Sequence, residues 1–297
     1  MSEDSYNVVV AGYGQMGHAM ETLLAGRSRL SIWAVTPDDL EPPAHIAAAA
    51  GAADFLLLCI PTAGHAAVLH RLAIRLRPTT ALLSIAKGLD DAERCAADIL
   101  QGYWDGRPWG VLGGPMIANE IIAGKPAFAE LGTHDMTLWQ SAQALYPSPG
   151  LALSGPRDPQ AVSWCGVLKN IYAPLVGVSD ELGWGDNARG HIIMAALHEM
   201  QSLVRDFGVR DFQAYGDAGL ADFVTTVTSR DSHHYALGRR IARGDYHDLQ
   251  CEGVHSLQVL KSRDGIVDGR HRLFEVAMLL AGDCTRIPQA LHGWLAG

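Results

Sequence analysis

Two features of this 297-residue chain could do chemistry on their own. The first is the run Val8-Val9-Val10-Ala11-Gly12-Tyr13-Gly14-Gln15-Met16-Gly17, a G-x-G-x-x-G turn that follows an apolar stretch and opens a helical one. In that setting Gly12 permits the tight turn, Gly14 removes the side chain that would block a pyrophosphate, and Gly17 lets the helix pack closely on the strand. The start of the helix adds free N–H groups and partial positive charge, which suits a dinucleotide. The second feature is Lys169, which stands in an otherwise apolar stretch from Ala161 to Val178. A charge among apolar residues needs a reason to be there.

The elements around these residues give the fold class. Asn7–Ala11, Leu30–Val35, Asp54–Ile60, Thr80–Ile85 and Trp109–Leu112 are short apolar runs that read as strands, with Ala127–Leu131 and Gly150–Leu153 as two more. Helical stretches around Met20–Leu24, Ala44–Ala53 and His65–Leu76 alternate with them. Continuous apolar strands between helices predict a parallel sheet covered on both faces. From about Pro156 the period becomes helical. Ile192, Ala195, Ala196, Met200, Leu203, Val204 and Phe207 fall on one face of a helix spanning His191–Phe207, with Gly208 as its cap. Leu273–Leu280 and Pro288–Leu295 also read as helices. The expected architecture is α/β: a doubly wound Rossmann domain over residues 1–155, then an all-α domain over 156–297.

Composition narrows the function classes. The net charge of −9 disfavours non-specific nucleic-acid or anionic-membrane binding, so the expected partner is a small molecule. The five cysteines are scattered without a C-x-x-C pair, which argues against disulfides and zinc. The thirteen histidines show no H-x-x-x-H or H-E-x-x-H spacing, so no metal is expected. The acidic start MSEDSYNVVVAG lacks the pattern of a signal peptide, and apolar runs such as Phe55–Pro61 are too short to span a bilayer. The expectation is a soluble cytoplasmic protein.

Further segments carry a family resemblance. In order after the glycine turn come Ser84-Ile85-Ala86-Lys87-Gly88, Gly113-Gly114-Pro115-Met116-Ile117-Ala118-Asn119-Glu120 and Val167-Leu168-Lys169-Asn170. Then come Gly219-Leu220-Ala221-Asp222-Phe223-Val224-Thr225-Thr226, Ser229-Arg230 and Cys251-Glu252-Gly253. From about Val8 to Leu295 the chain resembles the NAD(P)-dependent sn-glycerol-3-phosphate dehydrogenases. The resemblance implies hydride transfer between a nicotinamide (NAD or NADP) and a secondary alcohol or ketone, with Lys169 as general acid/base. It places Lys87, Gly114, Asn170, Asp222, Thr226, Ser229 and Arg230 at the substrate, and Gln15, Met16, Lys87, Ala118, Arg230 and Glu252 at the dinucleotide.

The chemistry agrees with that assignment. Reducing a ketone builds negative charge on its oxygen, which a positioned ammonium stabilises and then protonates. Oxidation needs the same amine neutral, and burial with Lys87 nearby would lower its pKa. Asp222 would orient Lys169 or relay its proton, and Asn170 would fix a hydroxyl without adding charge.

Two positions depart from the family. After Arg230 the family usually has asparagine, which helps hold the substrate phosphate, and after Gly114-Pro115 it usually has serine. Here they are Asp231 and Met116. A carboxylate ~4 Å from a phosphate repels it by ~4 kcal/mol per charge at an effective dielectric near 20, and methionine offers no hydrogen to an oxyanion. The loop from Pro37 to Ala53 is also short for the family. The end of the second strand, Trp33-Ala34-Val35-Thr36, has neither an acid for a ribose hydroxyl nor an arginine for a 2′-phosphate, and Asp38 and Asp39 come late. This leaves NAD against NADP open. Alternative readings are a ketopantoate reductase-like or β-hydroxyacid dehydrogenase-like enzyme, an enzyme for a substrate with altered or absent phosphate, and a non-catalytic NAD(P) sensor. The helical domain is also expected to supply a homodimer surface.

Overall fold

The computed structural model describes residues 5–104, 106–146, 148–209, 214–262 and 269–297; Met1–Asp4 of the acidic start lie outside them. The first half runs β1 (Asn7–Ala11), α1 (Gln15–Leu24), β2 (Arg29–Trp33), α2 (Ala44–Ala50), β3 (Phe55–Leu58), α3 (His65–Leu72), β4 (Ala81–Ser84), α4 (Ala96–Tyr103), β5 (Trp109–Gly113), α5 (Ala118–Ile122), β6 (Ala127–Gly132), α6 (Met136–Leu145) and β7 (Leu151–Arg157). These seven strands form one sheet in the order β2-β1-β3-β4-β5-β6-β7. Because β1 lies between β2 and β3, the winding direction reverses at β1, and the crevice outside its C-terminal end is where such sheets bind ligands. Ala11 pairs with Leu58, Leu58 with Ser84, and Ser84 with Val111. The ends of β1, β3 and β4 are therefore level and β5 runs two residues further, so the chain segments leaving them meet at one edge.

The sheet is not parallel throughout. β6 runs antiparallel to β5, and β7 then pairs with β6 in parallel. The connection through the five-residue α5 turns back at the end of β5 without a full crossover. The last strand also reaches Arg157, two residues beyond the expected boundary at 155.

The second half is helical: α7 (Pro159–Glu181), α8 (Gly185–Asp206), α9 (Asp222–Thr228), α10 (His233–Ala242), α11 (Glu252–Leu260), α12 (Arg272–Ala277) and α13 (Ile287–Leu295). Asp158 caps α7 through Gln160 N–H and Ala161 N–H, and Pro159 opens it. Among the described residues α7 is the helix long and apolar enough to cross a bilayer, and its apolar window is fully buried inside the protein. It is the central post of the helical half. α10 crosses it so closely that a Cβ on Gly238 would lie 1.8 Å from the Pro174 carbonyl oxygen. α8 ends in a Schellman motif: Gly208 N–H reaches the Arg205 carbonyl and Val209 N–H the Val204 carbonyl.

Glu199 of α8 ties three elements together. Its carboxylate accepts from Tyr172 Oη of α7 at 2.9 Å and from Leu273 N–H and Phe274 N–H at the start of α12 at 2.8 and 2.7 Å. Glu199→Ala would leave a buried phenol and two helix-start amides unpaired, at an expected cost of about 2–4 kcal/mol. Urea denaturation of the variant beside the parent measures it.

Candidate active site

The glycine turn is built as its sequence requires. Gly12 has φ +103°, and a Cβ there would lie 2.4 Å from the Cys59 carbonyl oxygen. A Cβ on Gly17 would lie 2.2 Å from the Gly12 carbonyl oxygen, whereas one on Gly14 would meet nothing within 4 Å. The open space is thus over Gly14, at the start of α1, where no side chain caps the helix and no acid occupies the first turn. A cradle of free amides with room above it fits a diphosphate.

Lys87 follows β4 and is held by a small network. His65 is fully buried, with Nδ1–H donating to the Pro61 carbonyl at 3.1 Å, so Nε2 accepts from the Ser84 hydroxyl at 2.7 Å. Ser84 Oγ in turn accepts from Ala86 N–H. Burial pulls the His65 pKa down to about 4, so the ring stays neutral in this role. The segment after β3 and the Lys87 segment are thereby locked together.

Gly166, Lys169 and Asn170 share one face of α7. The stem of Lys87 lies against Gly166, and Asn170 Nδ2 donates to the Lys87 carbonyl at 3.0 Å. Asp222, the first residue of α9, lies between the two amines. Lys87 Nζ donates to Asp222 Oδ2 at 2.7 Å and to the Gly114 carbonyl at 2.9 Å. Lys169 Nζ is 3.3 Å from Asp222 Oδ1 and donates to Thr226 Oγ1 at 2.6 Å. Lys169 is only 5% exposed. Burial lowers its pKa from 10.5 to about 8; Asp222 opposes that shift and Lys87 adds to it. An amine in this state can hold or release a proton near neutral pH.

These groups open onto one cavity of about 290 Å³, lined at one end by Gln15 and Met16 of the glycine turn and elsewhere by Lys87, Lys169, Asn170, Asp222 and Thr226. A second cavity of about 370 Å³ lies between the residues after β3, the Gly88–Leu89 segment and the start of α11, and Glu252 lines both.

The chain matches two family models: "NAD-dependent glycerol-3-phosphate dehydrogenase N-terminus" over residues 34–139 and its "C-terminus" counterpart over 158–280. The chain belongs to the NAD-dependent glycerol-3-phosphate dehydrogenase family. A relative named glycerol-3-phosphate dehydrogenase [NAD(P)+] 1, from Mycobacterium bovis, is 30% identical over 80% of this chain and 76% of its own length. One from Alcanivorax borkumensis, named glycerol-3-phosphate dehydrogenase [NAD(P)+], is 25% identical over 90% of this chain and 87% of its own. A solved glycerol-3-phosphate dehydrogenase from Coxiella burnetii superposes with a TM-score of 0.85 over 99% of both chains at 22% identity, which shows the shared fold.

Most of the residues expected from the family resemblance come together. Gln15, Met16, Lys87, Met116, Ala118, Lys169, Asn170, Asp222, Thr226, Ser229, Asp231 and Glu252 all line the first cavity. Gly12, Gly14 and Gly17 form the turn at its edge, and Gly114 offers its carbonyl to Lys87. Arg230 is not brought in with them: it is exposed and outside the lining. The backbone leaves the helix at Ser229, with ψ 137°, and Arg230 stands in the link between α9 and α10. Sequence reading missed Asn119, Thr225, Ser232, His233 and His234, which also line the cavity. His233 and His234 stand outside any metal-ligand spacing. Their position directly after Ser229–Asp231 was the usable signal. Among the described residues no cluster suited to a metal ion is present.

Proposed function

We propose that this chain is an NAD(P)-dependent oxidoreductase acting on a CH–OH group, interconverting the secondary alcohol and ketone of glycerol 3-phosphate and dihydroxyacetone phosphate or a close small analogue. Residues 1–155 would bind the dinucleotide and 156–297 would carry the substrate chemistry. The observation that supports this most strongly is the buried Lys169 amine opening onto the same cavity as Gln15 and Met16 of the glycine turn.

The dinucleotide, when bound, supplies or accepts the hydride. Lys169 handles the proton: in reduction its ammonium polarises the ketone oxygen and delivers a proton to it as the carbon gains hydride, and in oxidation the neutral amine takes the hydroxyl proton back. Asp222 orients Lys169 and shares its charge between the two amines. Asn170 fixes Lys87 by donating its Nδ2 to the Lys87 carbonyl. Steady-state assays of small ketones with NADH and NADPH test the reading. Turnover of a three-carbon ketone supports it, and absence of turnover across such a panel refutes it.

The lowered Lys169 pKa sets opposite pH profiles for the two directions. Oxidation needs the neutral amine, so kcat/KM should rise through about pH 8 and level off above it. Reduction needs the ammonium, so kcat/KM should fall above about pH 8. Initial rates in both directions across the range check this.

A further inference from the structure

Resting on the reading above, we propose that His65 is a positioning residue: through Ser84 it fixes the main chain ahead of Lys87, and with it the place of the Lys87 amine beside Asp222 and Lys169. Two bonds carry this. The Ser84 hydroxyl donates to His65 Nε2 at 2.7 Å, and its oxygen accepts from Ala86 N–H at 3.2 Å.

His65 and Ser84 are both 0% exposed, so water does not replace a lost partner. His65 opens α3, and its Nδ1–H is committed to the Pro61 carbonyl at 3.1 Å, which leaves Nε2 to take the Ser84 proton. A buried hydroxyl keeps the rotamer in which its proton has an acceptor. In that rotamer Ser84 Oγ also holds the Ala86 amide. On the far side, Asn170 Nδ2 donates to the Lys87 carbonyl at 3.0 Å. The main chain is thus pinned on both sides of the Lys87 Cα. From there Nζ reaches Asp222 Oδ2 at 2.7 Å and the Gly114 carbonyl at 2.9 Å. The same ring, through Pro61, ties this segment to the wall of the second cavity, which Pro61, Thr62 and Ala63 line.

The place of Lys87 matters to Lys169. Asp222, Lys87 and Glu252 are the charges acting on the Lys169 amine, and of these Lys87 alone favours the neutral form. Without His65 the Ser84 hydroxyl turns to another acceptor, Ala86 N–H is released, and Lys87 loses its fixed place. Lys87 drawing back from Asp222 removes that repulsion and leaves the carboxylate to Lys169, which then keeps its proton to higher pH. A ring that only filled space would have no hold on this property.

The test is the pH dependence of kcat/KM for glycerol 3-phosphate oxidation with NAD and NADP, with thermal melts, in the parent, His65→Leu, Ser84→Ala and His65→Gln. The parent midpoint near pH 8 should rise by about half a unit or more in His65→Leu and Ser84→Ala, with KM rising more than kcat falls. Glutamine carries an oxygen at about the reach of Nε2 and can take the Ser84 proton, so His65→Gln should keep the parental midpoint. Lowered melts with a parental midpoint in His65→Leu and Ser84→Ala overturn the inference and leave His65 a packing residue. If His65→Leu does not fold, Ser84→Ala decides alone, because it removes the same bond without emptying the ring's site; an unshifted midpoint there overturns the inference. A parent whose rate shows no rise through about pH 8 removes the Lys169 reading itself.

Discussion

Replacing Lys169 with methionine is expected to lower turnover by about 10²–10⁴-fold, the usual contribution of a positioned acid/base group, with dinucleotide affinity retained. Methionine fills most of the volume of the lysine stem, so the tightly packed face of α7 is preserved. The change also leaves no charge stranded. Asp222 keeps its 2.7 Å pair with Lys87, and Thr226 keeps its own hydrogen bond to the Asp222 carbonyl. What disappears is the one amine held at a pKa of about 8 inside the cavity. Stopped-flow rates and a dinucleotide titration on the same preparation separate the two quantities. A variant that binds the dinucleotide and turns over at the parent's rate would remove lysine from the mechanism.

A pair of glycine substitutions should separate binding from folding at the turn. A Cβ on Gly14 meets no protein atom within 4 Å, so Gly14→Ala should fold and melt like the parent. That methyl group would stand in the space over the start of α1 that suits a diphosphate, so affinity should fall by about tenfold or more, equivalent to losing one charge-assisted hydrogen bond. Gly17→Ala places its Cβ 2.2 Å from the Gly12 carbonyl oxygen, and that contact is backbone, which cannot swing aside. The turn has to open, so this variant should lose about 1–3 kcal/mol of stability as overpacked sites do, and lose affinity as well. Isothermal titration with NADH and NADPH, with thermal melts alongside, distinguishes the two. A Gly14→Ala protein with parental affinity would show that the dinucleotide does not approach this turn.

Much of this architecture was legible because apolar strands and a patterned turn are local signals. β1, β3, β4 and β5 are four- or five-residue buried runs whose spacing alone suggests a doubly wound sheet. In the first half, three helices were not legible. α4 is capped by Cys95, whose side chain and Asp98 complete a capping box without the serine or threonine that usually marks one. α5 has five residues, too few to show a period. α6 has an Asp135 cap but a mixed polar and apolar body. The direction of β6 was equally hidden, since an apolar run looks the same read either way. Apolar runs such as Phe55–Pro61 are short, yet α7 reaches bilayer length because interspersed small and polar residues such as Ser163, Gly166 and Asn170 are buried along with its apolar ones.

The site divides along the same line. Lys87, Lys169 and Asp222 stand in distinctive segments, so they could be picked out individually. That a single carboxylate faces both amines could not be read, because Asp222 is 135 residues from Lys87 and 53 from Lys169 in the chain. Arg230 shows the converse. It belongs to a segment that resembles the family's, but the extended backbone at Ser229 carries it to the surface. His234 reaches the cavity from the first turn of α10, a placement set by the packing of α10 on α7.

The central claim is geometric, and a crystal structure with dinucleotide and a substrate analogue bound tests it most directly. The Lys169 Nζ should lie within about 2.6–3.2 Å of the oxygen on the reacting carbon, the reach required of a general acid or base, with that carbon facing the nicotinamide. A complex in which another side chain makes that contact, or in which the reacting oxygen lies beyond hydrogen-bond distance of Lys169 Nζ, would contradict it.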